Sequence, residues 1–168
     1  ITQSIQTVGS AAADGTPTDF EGAIGVDLEG NVQGCDIIAP KLSFGFTRFF
    51  PVEVIASGYV VLLNNVAGCV NAFPFYGLAR GECLFEGASC VYDHDKRLYA
   101  ISFHFLCSPN RTGIQIGNSM SGNKRGFEYL WCLYQRKFDE ASKRMKDIPV
   151  EAHVEQVYPY ANFGLLGV

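Results

Sequence analysis

The sequence is short of charge. Asp, Glu, Lys and Arg make up 18% of its 168 residues while 48% are hydrophobic, against the roughly 25% charged content of ordinary soluble domains. A single core of this size leaves apolar surface over, which points to partners of like kind. A basic excess is also missing. The formal net charge is −4, so binding dominated by nucleic-acid phosphates is poorly supported. Adjacent lysines and arginines occur at Lys96-Arg97, at Lys124-Arg125 and over residues 136–146, where Asp139 and Glu140 intervene; a mixed run of this kind is a solvated face. No apolar run approaches the roughly 20 residues of a membrane-spanning helix. The longest, residues 60–66, contains Asn64 and Asn65. The first residue is Ile, behind which Met is poorly excised, so the expectation is a cleaved leader or a start lying upstream.

Chemical signatures are scarce too. The six cysteines (Cys35, Cys69, Cys83, Cys90, Cys107 and Cys132) include no Cys-x-x-Cys pair, and their spacing matches neither the common zinc patterns nor a small disulfide scaffold. Cys83 and Cys132 sit in apolar surroundings, where a free thiol behaves as a small hydrophobe. One or two disulfides, or a metal or catalytic role, are the alternatives. Neither a Gly-x-Ser-x-Gly nor a His-Glu-x-x-His pattern occurs. The segment from Gly113 to Asn118 is a turn signal, because the Gly-Lys-Ser/Thr of a phosphate loop is absent. His104 and Cys107, three apart on an expected strand, point to opposite faces. Tyr92-Asp93-His94-Asp95-Lys96-Arg97 reads as a polar hairpin tip, with a weak cation site as its alternative. Neither metal nor cofactor is expected.

What is present is strand pattern. Residues 21–28 and 34–40 read as a hairpin, and Leu42, Phe44 and Phe46 alternate on a further strand. Pro51 stands where a helix can begin. Ile55, Tyr59, Leu62 and Val66 then form one stripe, giving a helix over about 51–66 with Gly68 as its cap. Strands follow over 81–87 and 98–107, the latter alternating Tyr99, Ile101, Phe103 and Phe105, with a projecting loop over 89–97 between them. Residues 108–126 read as a loop or irregular strand, and strands at 128–136 and 150–158 flank a short helix or extended loop. No internal repeat is expected. The aromatics Phe73, Phe75, Tyr76, Phe127, Tyr129, Trp131 and Tyr134 divide between core and interface. The fold expected is mainly β, a sandwich or barrel of about seven or eight strands with one helix. It forms a single domain over 21–158 between an extended arm, residues 1–20, and a tail, residues 159–168.

Four blocks carry a resemblance. They run from Phe75 to Ser89, from Ile101 to Phe105 with Ser108-Pro109-Asn110, from Gly126 to Trp131 and from Val154 to Tyr158. From about Asp19 onward the chain resembles a family of β-rich phage-type structural proteins that carries no catalytic signature. The order of strands, helix, strands and long arms is similar to the tail-tube proteins of tailed phages. That resemblance implies a virion location, in the tail, and a homo-oligomer of rings or helical stacks joined by loops and termini. It also implies a lumen whose acidic balance lets DNA slide without adhering.

The contact residues expected are Ile1, Ile5, Val8 and Phe20 in the arm, Tyr92 and His94 at the tip, Ile114 and Ile116 in the glycine-rich loop, and Tyr160, Phe163, Leu165 and Leu166 in the tail. Other virion proteins are possible partners; membrane insertion and specific nucleic-acid binding are not expected. Two further readings stand beside this one. The first is another virion part, such as a head-to-tail adaptor or decoration protein, or a secreted extracellular filament subunit. The second is a ligand-binding or thiol-dependent enzyme barrel centred on Cys83, His104 and Cys107.

Overall fold

The computed structural model describes residues 2–8, 23–26, 28–29, 32–33, 35–55, 57–116 and 120–168. In chain order the elements are β1 (Thr2–Val8), β2 (Ala23–Val26), β3 (Val32–Gln33), β4 (Cys35–Pro51), α1 (Ser57–Val66), β5 (Val70–Asn71), β6 (Cys83–Asp93) and β7 (Leu98–Cys107). There follow β8 (Arg111–Ile116), β9 (Met120–Lys124), β10 (Tyr129–Asp139), β11 (Arg144–Glu155), β12 (Tyr160–Ala161) and a 3-10 helix (Phe163–Leu166). The protein is mainly β with a single α-helix, in several sheets, none of which closes on itself among the described strands.

The chain forms two compact units. The first comprises Ile1–Thr2, Lys41–Pro109 and Tyr158–Val168. The strands within it, hydrogen-bonded in this order, are the part of β4 from Lys41 onward, β7, β6, β5 and β12. Strict alternation along β7 buries Ile101, Phe103, Phe105 and Cys107 while His104 stays exposed, as a strand with one covered face requires. On the same face lie Phe44 and Phe46 of β4 and Cys83 and Phe85 of β6. Phe85, Phe103 and Phe105 are fully buried, each worth roughly 2–3 kcal/mol of apolar burial. The stripe Ile55, Tyr59, Leu62 and Val66 packs on this core, as its spacing predicts. Gly68 ends the helical segment in the left-handed region (φ 78°) and donates to the Phe85 carbonyl at 2.8 Å, a turn that a Cβ would strain.

The second unit comprises Gln3–Pro40 and Asn110–Val157. Its sheet, β11-β10-β2-β3, pairs β10 antiparallel with β11 and parallel with β2. The ribbon β8–β9 packs on one face of it, placing Ile114, Ile116, Leu130, Cys132 and Tyr134 in a common core with Met120 and Ala152 at its margin. The layers approach closely at Gly122, where an added Cβ would stand 3.3 Å from both Ile116 and Leu130.

Several sequence expectations change. Pro51 ends β4 instead of opening the helix: the chain turns over 52–54, with the Val54 amide donating to the Pro51 carbonyl at 3.0 Å, and α1 begins only at Ser57. Residues 35–51 are one long strand, so the break read at Lys41 does not exist. The projecting loop over 89–97 shrinks to four turn residues, because β6 continues to Asp93 in register with Leu98. Of the two readings of residues 108–126, the irregular strand holds for 111–116 and 120–124, and residues 137–147 are strand and tight turn in place of a short helix or extended loop. Residues 159–168, read as a tail, belong to the first compact unit. There β12 pairs parallel with β5, and Phe163 and Leu166 enter the core.

Candidate assembly surface

Three surface features stand out, and each is built by a short local device. The first is the segment 72–82, organised by one fully buried side chain. Asn71 donates through Nδ2 to the carbonyls of Phe73 (2.8 Å) and Ala79 (2.9 Å), and its Oδ1 accepts from the Cys83 amide at 2.8 Å. A buried amide satisfied in this way fixes backbone that lacks a sheet ladder. Within the segment Phe75 and Leu78 exchange backbone bonds of 3.0 and 2.9 Å around Tyr76-Gly77, whose φ values are 49° and 81°. This is a two-residue turn with both central residues left-handed, a geometry that normally selects Asn-Gly. The left-handed conformation costs a tyrosine roughly 1–2 kcal/mol. Packing offsets that cost: the Tyr76 ring lies 4.8 Å from Phe75, 5.4 Å from Phe46 and 6.0 Å from Phe44, centroid to centroid. Tyr76 nevertheless remains 59% exposed and Phe73 62%, so the segment displays aromatic surface from a rigid base.

The other two features are hairpin tips made alike. At the β6–β7 tip Asp93 Oδ1 accepts from the amides of Asp95 and Lys96, both at 3.1 Å, and Arg97 closes the turn at φ 52°. At the β10–β11 tip Asp139 accepts from the amides of Ala141 and Ser142, both at 3.3 Å, and Lys143 closes the turn at φ 53°. Both carboxylates lie below their ordinary pKa. The Lys96 amide is the leading cause for Asp93, and the Lys146 ammonium for Asp139. Beside the second tip Phe138 and Met145 face each other across the ladder, 54% and 56% exposed. The strand β11 itself has one strand neighbour, β10, among the described residues.

The expected contact residues separate accordingly. Ile1 and Phe20 lie outside the described residues; Ile5 and Val8 belong to β1, whose side chains are not described. Tyr92 and His94 meet at the first tip, rings 4.7 Å apart, with Tyr99 behind Tyr92 at 4.9 Å. Ile114 and Ile116 are corrected to core residues, because strand alternation turns both inward beneath Leu130. Phe163 and Leu166 are likewise core, held there by the 3-10 turn. The Asn162 side chain caps that turn by accepting from Gly164 at 3.0 Å, and the Tyr59 hydroxyl donates to the Leu166 carbonyl at 2.8 Å. Tyr160 is half-buried under the Arg80 guanidinium, 4.1 Å above its ring, while Leu165 remains exposed.

Sequence reasoning left Phe73 and Tyr76 undivided between core and interface. The signal that separates them is the residue before Gly77, which a tight turn throws outward. Cys83, His104 and Cys107 do not converge: burial pushes Cys83 up to about 12, Cys107 is also raised by burial, and His104 faces away from both. Among the described residues no three His, Cys, Asp or Glu side chains gather as metal ligands, and no helix is long and apolar enough to cross a membrane. Comparison with family models, curated proteins and solved structures gave no match.

Proposed function

We propose that the chain is a non-enzymatic structural subunit of a phage-type tail tube or similar tubular assembly, located in the virion. Its sheets remain open within one subunit, and neighbouring copies complete a sandwich or barrel by adding strands at the edges, so that rings or helical stacks form by repeated heterologous contacts. The observation that carries this reading is the edge of β11, twelve residues long and without a second strand neighbour among the described residues, ending beside the exposed pair Phe138 and Met145. A long unpaired edge is a template for another strand, and exposed apolar side chains at its end add buried area once a neighbour arrives. The display of Phe73 and Tyr76 supplies a second apolar contact.

The test is negative-stain electron microscopy of the purified chain with its mass in solution. Hollow tubes or stacked rings support the proposal, and a monodisperse monomer near 18.4 kDa overturns it. Solid thin fibres would move the assignment to a filament subunit. The double variant Phe138→Ser, Met145→Ser keeps its β-type circular dichroism and loses assembly if the β11 edge is the joint.

A further inference from the structure

Cys83 opens β6 and Cys107 closes β7, and the two are directly opposite in the antiparallel register. The type of pair they form follows from one backbone bond. The amide of Ser108, one residue beyond Cys107, donates to the carbonyl of Glu82, one residue before Cys83, at 2.9 Å. A pair bracketed in this way is non-hydrogen-bonded, the narrow site of an antiparallel ladder, with Cα atoms about 4.5 Å apart. That separation lies inside the window of roughly 4.4–6.8 Å within which two cysteines can be bridged without moving the backbone. Both side chains share the covered face of the sheet, Cys83 at 0% and Cys107 at 6% exposure, and both are free thiols. The same face of the ladder also carries Phe85, Phe105, Phe103 and Ile101, and the next thiol along it is the exposed Cys90, opposite Ile101.

We propose that Cys83 and Cys107 are an oxidation site that takes a low-molecular-weight disulfide as its oxidant and becomes a cross-strand disulfide at the open end of the β6–β7 hairpin. Cys107 reacts first, since it is the less enclosed of the two and ends its strand. Its thiolate attacks one sulfur of the oxidant, whose other half leaves as a thiolate and takes up the proton. Cys83 then attacks Sγ of Cys107 and expels the second half of the oxidant, so two protein thiols are oxidised and one external disulfide is reduced to two thiols. Burial keeps both thiols protonated in the native chain, so the exchange is slow until the strand ends open. The bond fixes the point from which the Asn71-anchored segment departs, because the Cys83 amide is one of the three groups that Asn71 holds.

The inference does not depend on the assembly reading, and its test uses the chain with Cys90→Ala, which removes the exposed thiol of the same strand. This protein is treated with oxidised glutathione in two ways, once folded and once during refolding from denaturant in a glutathione redox buffer, and is then mapped by non-reducing peptide mass spectrometry. The expected result is a peptide joining residues 83 and 107, lighter by two hydrogen atoms than the reduced pair. It should come with a thermal midpoint raised by about 5 °C or more that dithiothreitol reverses. Adding Cys83→Ala should leave glutathione trapped on Cys107. Failure to find the 83–107 peptide under either treatment overturns the proposal, as does its appearance only in mixture with random pairings of the other thiols.

Discussion

The hairpins β6–β7 and β10–β11 have nearly the same plan and opposite surroundings. Each is a long antiparallel ladder broken by one bulge, at Glu86 in the first and at Val150 in the second. Each ends in an aspartate that accepts from the amides two and three residues on, and in a basic residue held left-handed. The first is enclosed along β7 and at its base: β4 flanks β7, β5 flanks β6 at Leu84, and α1 packs against the shared face. The second leaves β11 at the margin of its sheet. The difference lies in side chains, not in the turn. Along β7 the inward positions are Ile101, Phe103, Phe105 and Cys107. Along β11 one face carries Arg144, Lys146, Ile148, Glu151, His153 and Glu155, and on the other only Ala152 joins the core margin. Turn chemistry therefore specifies that a hairpin forms, and the apolar alternation decides whether it is placed inside a sheet or at its border.

The largest effect that would break this comparison comes from the enclosed hairpin. Phe105→Ala should lower stability by about 3–5 kcal/mol, read from denaturant unfolding, whereas Val154→Ala on β11, 42% exposed, should change it by less than about 1 kcal/mol. Equal losses would show that β11 is as enclosed as β7. Next comes the anchor that only the first hairpin possesses. Asn71→Ala removes three hydrogen bonds and leaves the Phe73 and Ala79 carbonyls and the Cys83 amide without that partner, a loss of roughly 1–3 kcal/mol. Hydrogen exchange should quicken over 72–83 and not at the β10–β11 tip.

Smaller effects sharpen the likeness of the tips. Arg97→Gly and Lys143→Gly each relieve a left-handed side chain and should each stabilise by about 0.5–1 kcal/mol. A gain at one site alone would mean that the two turns are not the same device. Acid should separate them least in energy and most in character. A carboxylate whose folded pKa lies below its unfolded value, near 3.9, adds stability above that value and loses it as pH falls toward the folded one. Both tips should therefore weaken below about pH 4. Because the Lys146 ammonium leads the shift of Asp139 and a backbone amide leads that of Asp93, added salt should raise the Asp139 midpoint more, as followed by carboxyl NMR.

Much of this architecture was legible in the sequence where the signal was local and strong. The stripe from Ile55 to Val66, the cap at Gly68 and the alternation of β7 all read directly from spacing. The long β4 did not, because Pro40 and Lys41 break the local pattern while the ladder to β7, some sixty residues away, supplies the pairing that holds Leu42 to Pro51 extended. Tyr92 to Arg97 reads as a hairpin tip and is one, whereas residues 89–91 read as loop and 137–147 as short helix or loop, because polar residues next to a turn look alike whether they are ladder or loop. Only the bonds to Asp93 and Asp139 distinguish them. Ile114 and Ile116 read as contact residues from the glycine-rich loop around them, and Phe163 and Leu166 from their place in the tail, yet one strand and a capped 3-10 turn bring all four inward. For the proposed site, composition gave the surplus of apolar surface. Which aromatics carry it depends on the Tyr76-Gly77 turn, whose bonding partners no pattern of spacing reveals.

The first unit is interrupted in sequence by the whole of residues 110–157. Its sheet takes β12, and its core takes Phe163 and Leu166, from residues made after that interruption. On a ribosome the strands β4 to β7 therefore emerge with the Phe75 and Phe85 rings lacking the Phe163 ring that lies 5.2 and 6.2 Å from them. Contacts so distant in the chain form late. A chain released short of residue 163 is thus left with an open aromatic core, which only residues beyond the interruption can close.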